Sequence, residues 1–137
     1  MSKVPGRLHA TGGVLFILCG IAHSIGQFSS ISSGGPIEHM MRASVVPGTT
    51  MNYLNIMQCW GALYGAMTIL FGVMLLATVR ASAGDARVRK AAAMTGVLAA
   101  IVQSVCVLVY DTPPPAFFMI PAALLLLGSR FWPERAA

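Results

Sequence analysis

The chain has 137 residues, of which 56% are hydrophobic and only 9% charged. Soluble domains carry about 25% charged residues, so this composition excludes an ordinary soluble globule and points to a bilayer as solvent. The net charge of +5 comes from short basic clusters beside apolar runs, with no DNA-binding motif around them. It therefore reports membrane topology, and no nucleic-acid partner is expected.

A helix crosses the hydrocarbon with about 20 mostly apolar residues. The first run long enough is TGGVLFILCGIAHSIGQFSSI, residues 11–31. Lys3 and Arg7 precede it, as in a signal peptide, but the run is longer than a signal core and no Ala-x-Ala site follows. It reads as a retained first span. The connection 32–50 contains Gly34, Gly35, Pro36, Pro47 and Gly48 as breakers around IEHMMRASVV, which predicts a short surface helix or cap over one end. The second span is 53–79, and RASAGDARVRK is a short polar turn after it. The third span, 91–110, ends at Tyr110 and Asp111, and the fourth, 115–132, is short and carries Pro121. The expected fold is all-α, an antiparallel four-transmembrane-helix bundle forming a single domain over 1–137.

Every Lys and Arg except Arg42 falls on the side of the two termini. The positive-inside rule then places both termini in the cytoplasm and the 32–50 and 111–114 connections outside, as in a bacterial inner membrane.

Lipid offers no hydrogen bonds, so polar side chains in a span must turn inward or reach an interface. His23 and Gln27 lie late in the outward-running first span; Tyr53, Asn55, Gln58 and Tyr64 lie early in the inward-running second; Gln103 and Ser104 lie late in the third. All belong to the external half, while stretches such as MTILFGVMLLATV and ALLLL leave the cytoplasmic half almost pure hydrocarbon. His23 and Gln27, four apart, share a helix face extended by Gly20. Gly61 and Gly65 form a Gly-x-x-x-Gly pair that admits close helix approach. The expected site is an outward-opening polar pocket over an apolar floor.

His23 is its most reactive member, because a neutral imidazole both accepts and donates a proton near neutrality. Glu38 and Asp111 supply carboxylates if the external loop folds over the mouth; otherwise Glu38 pairs with Arg42, four residues on. Gln27, Tyr53, Asn55, Gln58, Trp60, Tyr64 and Gln103 are the expected ligand-binding residues. Trp60, Tyr53, Tyr64 and Phe28 are aromatic rings suited to a cation.

Metals and cofactors find little support. His39, Met40, Met41, Met51, Met57 and Cys59 are soft ligand types, but show no repeated spacing for copper. His9 and His23 lie toward opposite sides of the membrane, against bis-histidine haem. Cys19, Cys59 and Cys106 are isolated, with no Cys-x-x-Cys, and no phosphate loop, Gly-x-Ser-x-Gly or His-Glu-x-x-His occurs. No cofactor is expected.

With AHSIGQF in the first of four spans, the chain resembles small bacterial inner-membrane proteins of the broadly DoxX-like kind. That resemblance implies topology alone and brings no catalytic residue. Two functions stay open ahead of a transporter or channel, for which four short spans would have to oligomerise to line a path. One is a site for a lipophilic small molecule such as an isoprenoid, quinone or sterol-like compound, with acid–base isomerase, cyclase or epoxide-opening chemistry. The other is a non-catalytic accessory subunit, a homo-oligomer or part of a larger complex, whose polar residues fasten helices together.

Overall fold

Each apolar run is helical in the computed structural model, which describes residues 4–31, 34–82, 85–109 and 116–132. In chain order the helices are α1 (Val4–Ile31), α2 (Pro36–Ala43), α3 (Tyr53–Ala81), α4 (Ala86–Val109) and α5 (Ala116–Phe131). Among the described residues there is no strand, only an isolated antiparallel bridge between Val45 and Asn52.

The long helices start before the apolar runs do: α1 at Val4 instead of residue 11, and α4 at Ala86 instead of residue 91. At α4 the flank ARVRK is made mostly of good helix formers, and at α1 Pro5 falls in the first turn, where its missing N–H costs nothing, so the ladder runs on where hydropathy has already fallen. Asp85 stops the ladder at the α4 end, its Oδ1 accepting the Arg87 N–H at 2.8 Å. Asn52 does the same for α3, its Oδ1 accepting the Asn55 N–H at 2.8 Å.

Three helical segments, Val4–Gln27, Tyr53–Ala81 and Ala86–Cys106, are long and apolar enough to cross a membrane. The fourth expected span is a shorter apolar helix, Phe117–Phe131. At 1.5 Å per residue the 16 residues of α5 extend about 24 Å, less than the roughly 30 Å of a hydrocarbon core. Pro121 stands inside α5 without ending it.

The predicted short helix after the first span is α2, with Pro36 in its first turn. Gly34, at φ +68°, directs its N–H to Glu38 Oε2 at 2.7 Å, and Arg42 Nη2 donates to Glu38 Oε1 at 2.6 Å. A turn through Gly48, at φ +79°, reverses the chain so that Tyr53 N–H meets the Ser44 carbonyl at 3.1 Å. These two positive-φ positions are cheap only for glycine. The reversal lays α2 against α3.

α1 is the central helix, packed chiefly against α3 and next against α5, while α5 also packs on α4 and α3 meets α4 only lightly. Glycines make the α1–α3 approach possible. A Cβ added at Gly72 would lie 2.6 Å from the Gly13 carbonyl oxygen, and one at Gly20 would lie 2.7 Å from that of Gly65. The pairing of early α1 with late α3 makes the two antiparallel. Leu126 of α5 occupies two further notches: a Cβ at Gly12 would come within 2.8 Å of its side chain, and one at Gly96 of α4 within 2.6 Å.

Around these contacts gathers one apolar core of Phe16, Cys19, Leu75, Ala93, Val97, Ala100, Met119, Ala122 and Leu126. Phe71 tilts against Phe16 with ring centroids 5.1 Å apart. The outward faces are apolar as well, with Leu18, Leu63, Leu70, Leu98 and Leu124 all exposed.

Gly72→Val should separate α1 from α3 and cost about 1–3 kcal/mol, the usual cost of overpacking, in equilibrium unfolding from detergent micelles. Gly6→Ala, whose Cβ would meet nothing within 4 Å, should leave stability unchanged or raise it by up to ~1 kcal/mol.

Candidate functional site

The inward stripe of α1 steps by three and four residues through His9, Gly12, Phe16, Cys19 and His23. Apolar up to Cys19, it turns polar at the next step, His23. The other long helices change at the matching place. On α4 the buried Ala93, Val97 and Ala100 give way to half-buried Gln103 and Ser104, and on α3 the buried Leu75 and Gly72 give way to Thr68 and then Tyr64. A polar layer from α1, α3 and α4 therefore caps the apolar core.

Two contacts organise that layer. The His23 and Tyr64 rings meet edge to face, with centroids 4.6 Å apart. Gln103 Nε2 donates to Thr68 Oγ1 at 3.4 Å, and the Thr68 hydroxyl donates to the Tyr64 carbonyl at 2.8 Å. Tyr64 thus joins all three helices. Two groups remain uncommitted. The His23 imidazole has no hydrogen-bond partner among the described residues, and Gln103 Oε1 is buried without a donor.

Gln27 acts differently from its helical neighbour His23. Its side chain lies in the notch of Gly61, where an added Cβ would collide with it, and its Nε2 donates to the Met57 carbonyl at 3.2 Å. This is a fastening of α1 to α3 at their ends. Ser24 packs into the Gly65 notch in the same way and returns its hydroxyl to the Gly20 carbonyl at 2.9 Å.

The remaining expected site residues are dispersed. Trp60 is 66% exposed, Tyr53 and Asn55 are exposed, and Gln58 is half-buried. Glu38 is engaged by Gly34 and Arg42 at the start of α2. Tyr110 and Asp111 lie outside the described residues, as does the side chain of Phe28. Of the expected residues, then, the structure brings His23, Tyr64 and Gln103 together. It adds Thr68, which a reading of span two as hydrocarbon passes over. The available signal was its position, four residues after Tyr64 on the stripe of Gly61.

His9 is fully buried, at 0% exposure, although its place near the end of α1 gave no such expectation. Neither of its ring nitrogens has a hydrogen-bond partner, and Arg89 of α4 is the charge that acts on it. Fourteen residues of helix, about 21 Å, separate it from His23, and Phe16 and Cys19 lie between them on the stripe. The two histidines cannot ligate one iron. Among the described residues no three of His, Cys, Asp and Glu come together.

The layer thus offers an imidazole, a phenol and an amide carbonyl above apolar walls. It is equipped to orient a polar headgroup and, through His23, to give or take a proton.

The Arg42 guanidinium and the Gly34 N–H hold the Glu38 carboxyl below the ordinary carboxylate value. Its contribution to α2 is present above the unfolded-chain value and is lost as pH falls through the lowered one. The Gly34 amide resonance should report that titration with a midpoint below the ordinary carboxylate value, and Glu38→Gln should abolish it. A midpoint at or above that value contradicts the pairing. Gln27→Leu should cost about 0.6–1.7 kcal/mol of stability in detergent, the range of interhelical hydrogen bonds in membrane proteins.

No protein-family model, curated protein or solved structure matches the chain.

Proposed function

We propose that this is an integral membrane protein whose polar layer binds the headgroup of a lipophilic small molecule. Three helices long and apolar enough to cross, with apolar outward faces, support the membrane setting. The basic residues support cytoplasmic termini: Arg7, Arg80, Arg87, Arg89, Lys90 and Arg130 all lie at one end of the antiparallel helices, and Arg42 at the other. In that orientation the polar layer belongs to the external half, and the short α5 is the fourth crossing.

The observation carrying the binding reading is the pair of uncommitted groups, His23 and Gln103 Oε1, in one layer over an apolar core. A polar side chain in hydrocarbon normally pairs with a neighbour, as Gln27 and Ser24 do. Entry runs sideways from the bilayer through the lightly packed seam between α3 and α4. His23 is the acid–base group, and isomerisation, cyclisation or epoxide opening are the reactions such a group serves without a cofactor.

The Gln27–Met57 bond favours a second reading, in which the chain is a structural subunit and the polar groups fasten helices. One experiment separates the two. Native mass spectrometry of the detergent-solubilised protein should show a co-purified lipid-like mass. His23→Ala should lower its occupancy about tenfold or more, the worth of one hydrogen bond made in a buried site, while α-helical circular dichroism is unchanged. Undiminished occupancy in the variant removes His23 from the site, and loss of assembly without any ligand mass supports the structural subunit.

A further inference from the structure

The bonds around Gln103 determine which face of its amide the site presents. Thr68 Oγ1 lies 2.8 Å from the Tyr64 carbonyl oxygen and 3.4 Å from Gln103 Nε2. A hydroxyl has one proton, and the shorter contact with an obligate acceptor takes it. Thr68 therefore meets Gln103 as an acceptor, so the amide turns its NH2 to Thr68; the network assigns the orientation. The atom left over is Oε1, a pure acceptor, buried and without a donor.

No side-chain donor of the layer reaches it, the Tyr64 phenol and the His23 imidazole included. Ser104 Oγ donates to the Ala100 carbonyl at 2.7 Å, and Ser24 Oγ to that of Gly20 at 2.9 Å. Among the described residues the layer lacks a donor for Gln103 Oε1 and a hydrogen-bond partner for the imidazole of His23. An alcohol meets both needs, because its oxygen donates one hydrogen bond and accepts others. An ether, ketone or ester oxygen only accepts, and would set lone pairs against Gln103 Oε1.

We propose that the ligand of this site is a lipid alcohol, an isoprenoid or other long-chain molecule with a terminal hydroxyl. Its O–H donates to Gln103 Oε1, its oxygen accepts from the His23 imidazole, and its chain lies along the apolar core. This rests on the binding reading above and narrows the ligand class by the polarity of one atom.

The test compares farnesol with farnesyl methyl ether, which share a chain and differ at the headgroup proton. Both are titrated into the full-length protein in detergent and followed by native mass spectrometry, with occupancy expressed per probe molecule in the micelle. Wild type should bind the alcohol about tenfold tighter than the ether, as expected for one buried hydrogen bond. Gln103→Leu should erase the preference by weakening the alcohol to the level of the ether, with helical circular dichroism unchanged. The wild-type ratio decides even if that variant does not fold. Equal affinities, or a preference for the ether, overturn the alcohol assignment while leaving a binding site in place. If neither probe binds and no lipid co-purifies, the binding reading fails, and the assignment with it.

Discussion

Everything in this molecule depends on how closely α1 approaches α3. At Gly13, Gly20, Gly65 and Gly72 the backbone of one helix touches the other, and no side chain fits between them. In a hydrocarbon solvent apolar side chains gain nothing by leaving lipid, so helices are held by packing of small residues and by interhelical hydrogen bonds. The glycine seam supplies the first, and Gln27 on the Met57 carbonyl supplies the second at one end. Because the seam sets the rotation of α1 about its axis, it also decides that Phe16, Cys19 and His23 point into the bundle.

The polar layer is a consequence of that rotation. With α1 turned so that Cys19 joins the core, the next residue on the stripe has to be His23. With Gly65 against Gly20, Tyr64 is delivered to the His23 ring. α4 touches α3 lightly, yet the Gln103–Thr68 contact completes the layer from the third side. One strong seam and one weak one thus hold the layer, the strong seam fixing His23 and Tyr64 and the weak one joined by Gln103 and Thr68.

Polar residues here serve two purposes that composition alone does not distinguish. Gln27, Ser24, Asn52 and Glu38 complete backbone or ion-pair partnerships, and each is fully explained by the helix it holds or caps. The His23 imidazole and Gln103 Oε1 are not so explained. Gln27 and His23 sit one turn apart on the same helix, yet only Gln27 finds a glycine notch and a carbonyl within it. The difference between a polar group that fastens helices and one that does not is thus one of neighbours.

Much of the architecture was legible before any coordinates. Run length and the basic flanks located the long helices, and the Gly and Pro breakers located α2. Those features are properties of single segments, because depth advances by a fixed 1.5 Å per helical residue. The early starts of α1 and α4 escaped notice because helical hydrogen bonding continues where hydropathy stops.

Only the tertiary structure decided which polar groups meet. A helix can be rotated without altering its sequence pattern, and the angle is chosen by the fit of Gly13, Gly20, Gly65 and Gly72 across the seam and of Leu126 in the notches of Gly12 and Gly96. That fit buried His9, recruited Thr68, withdrew Trp60 and Tyr53 to the exterior and left Gln103 Oε1 without a donor. Contacts between distant segments depend on shape complementarity in three dimensions, and a linear pattern carries no measure of it.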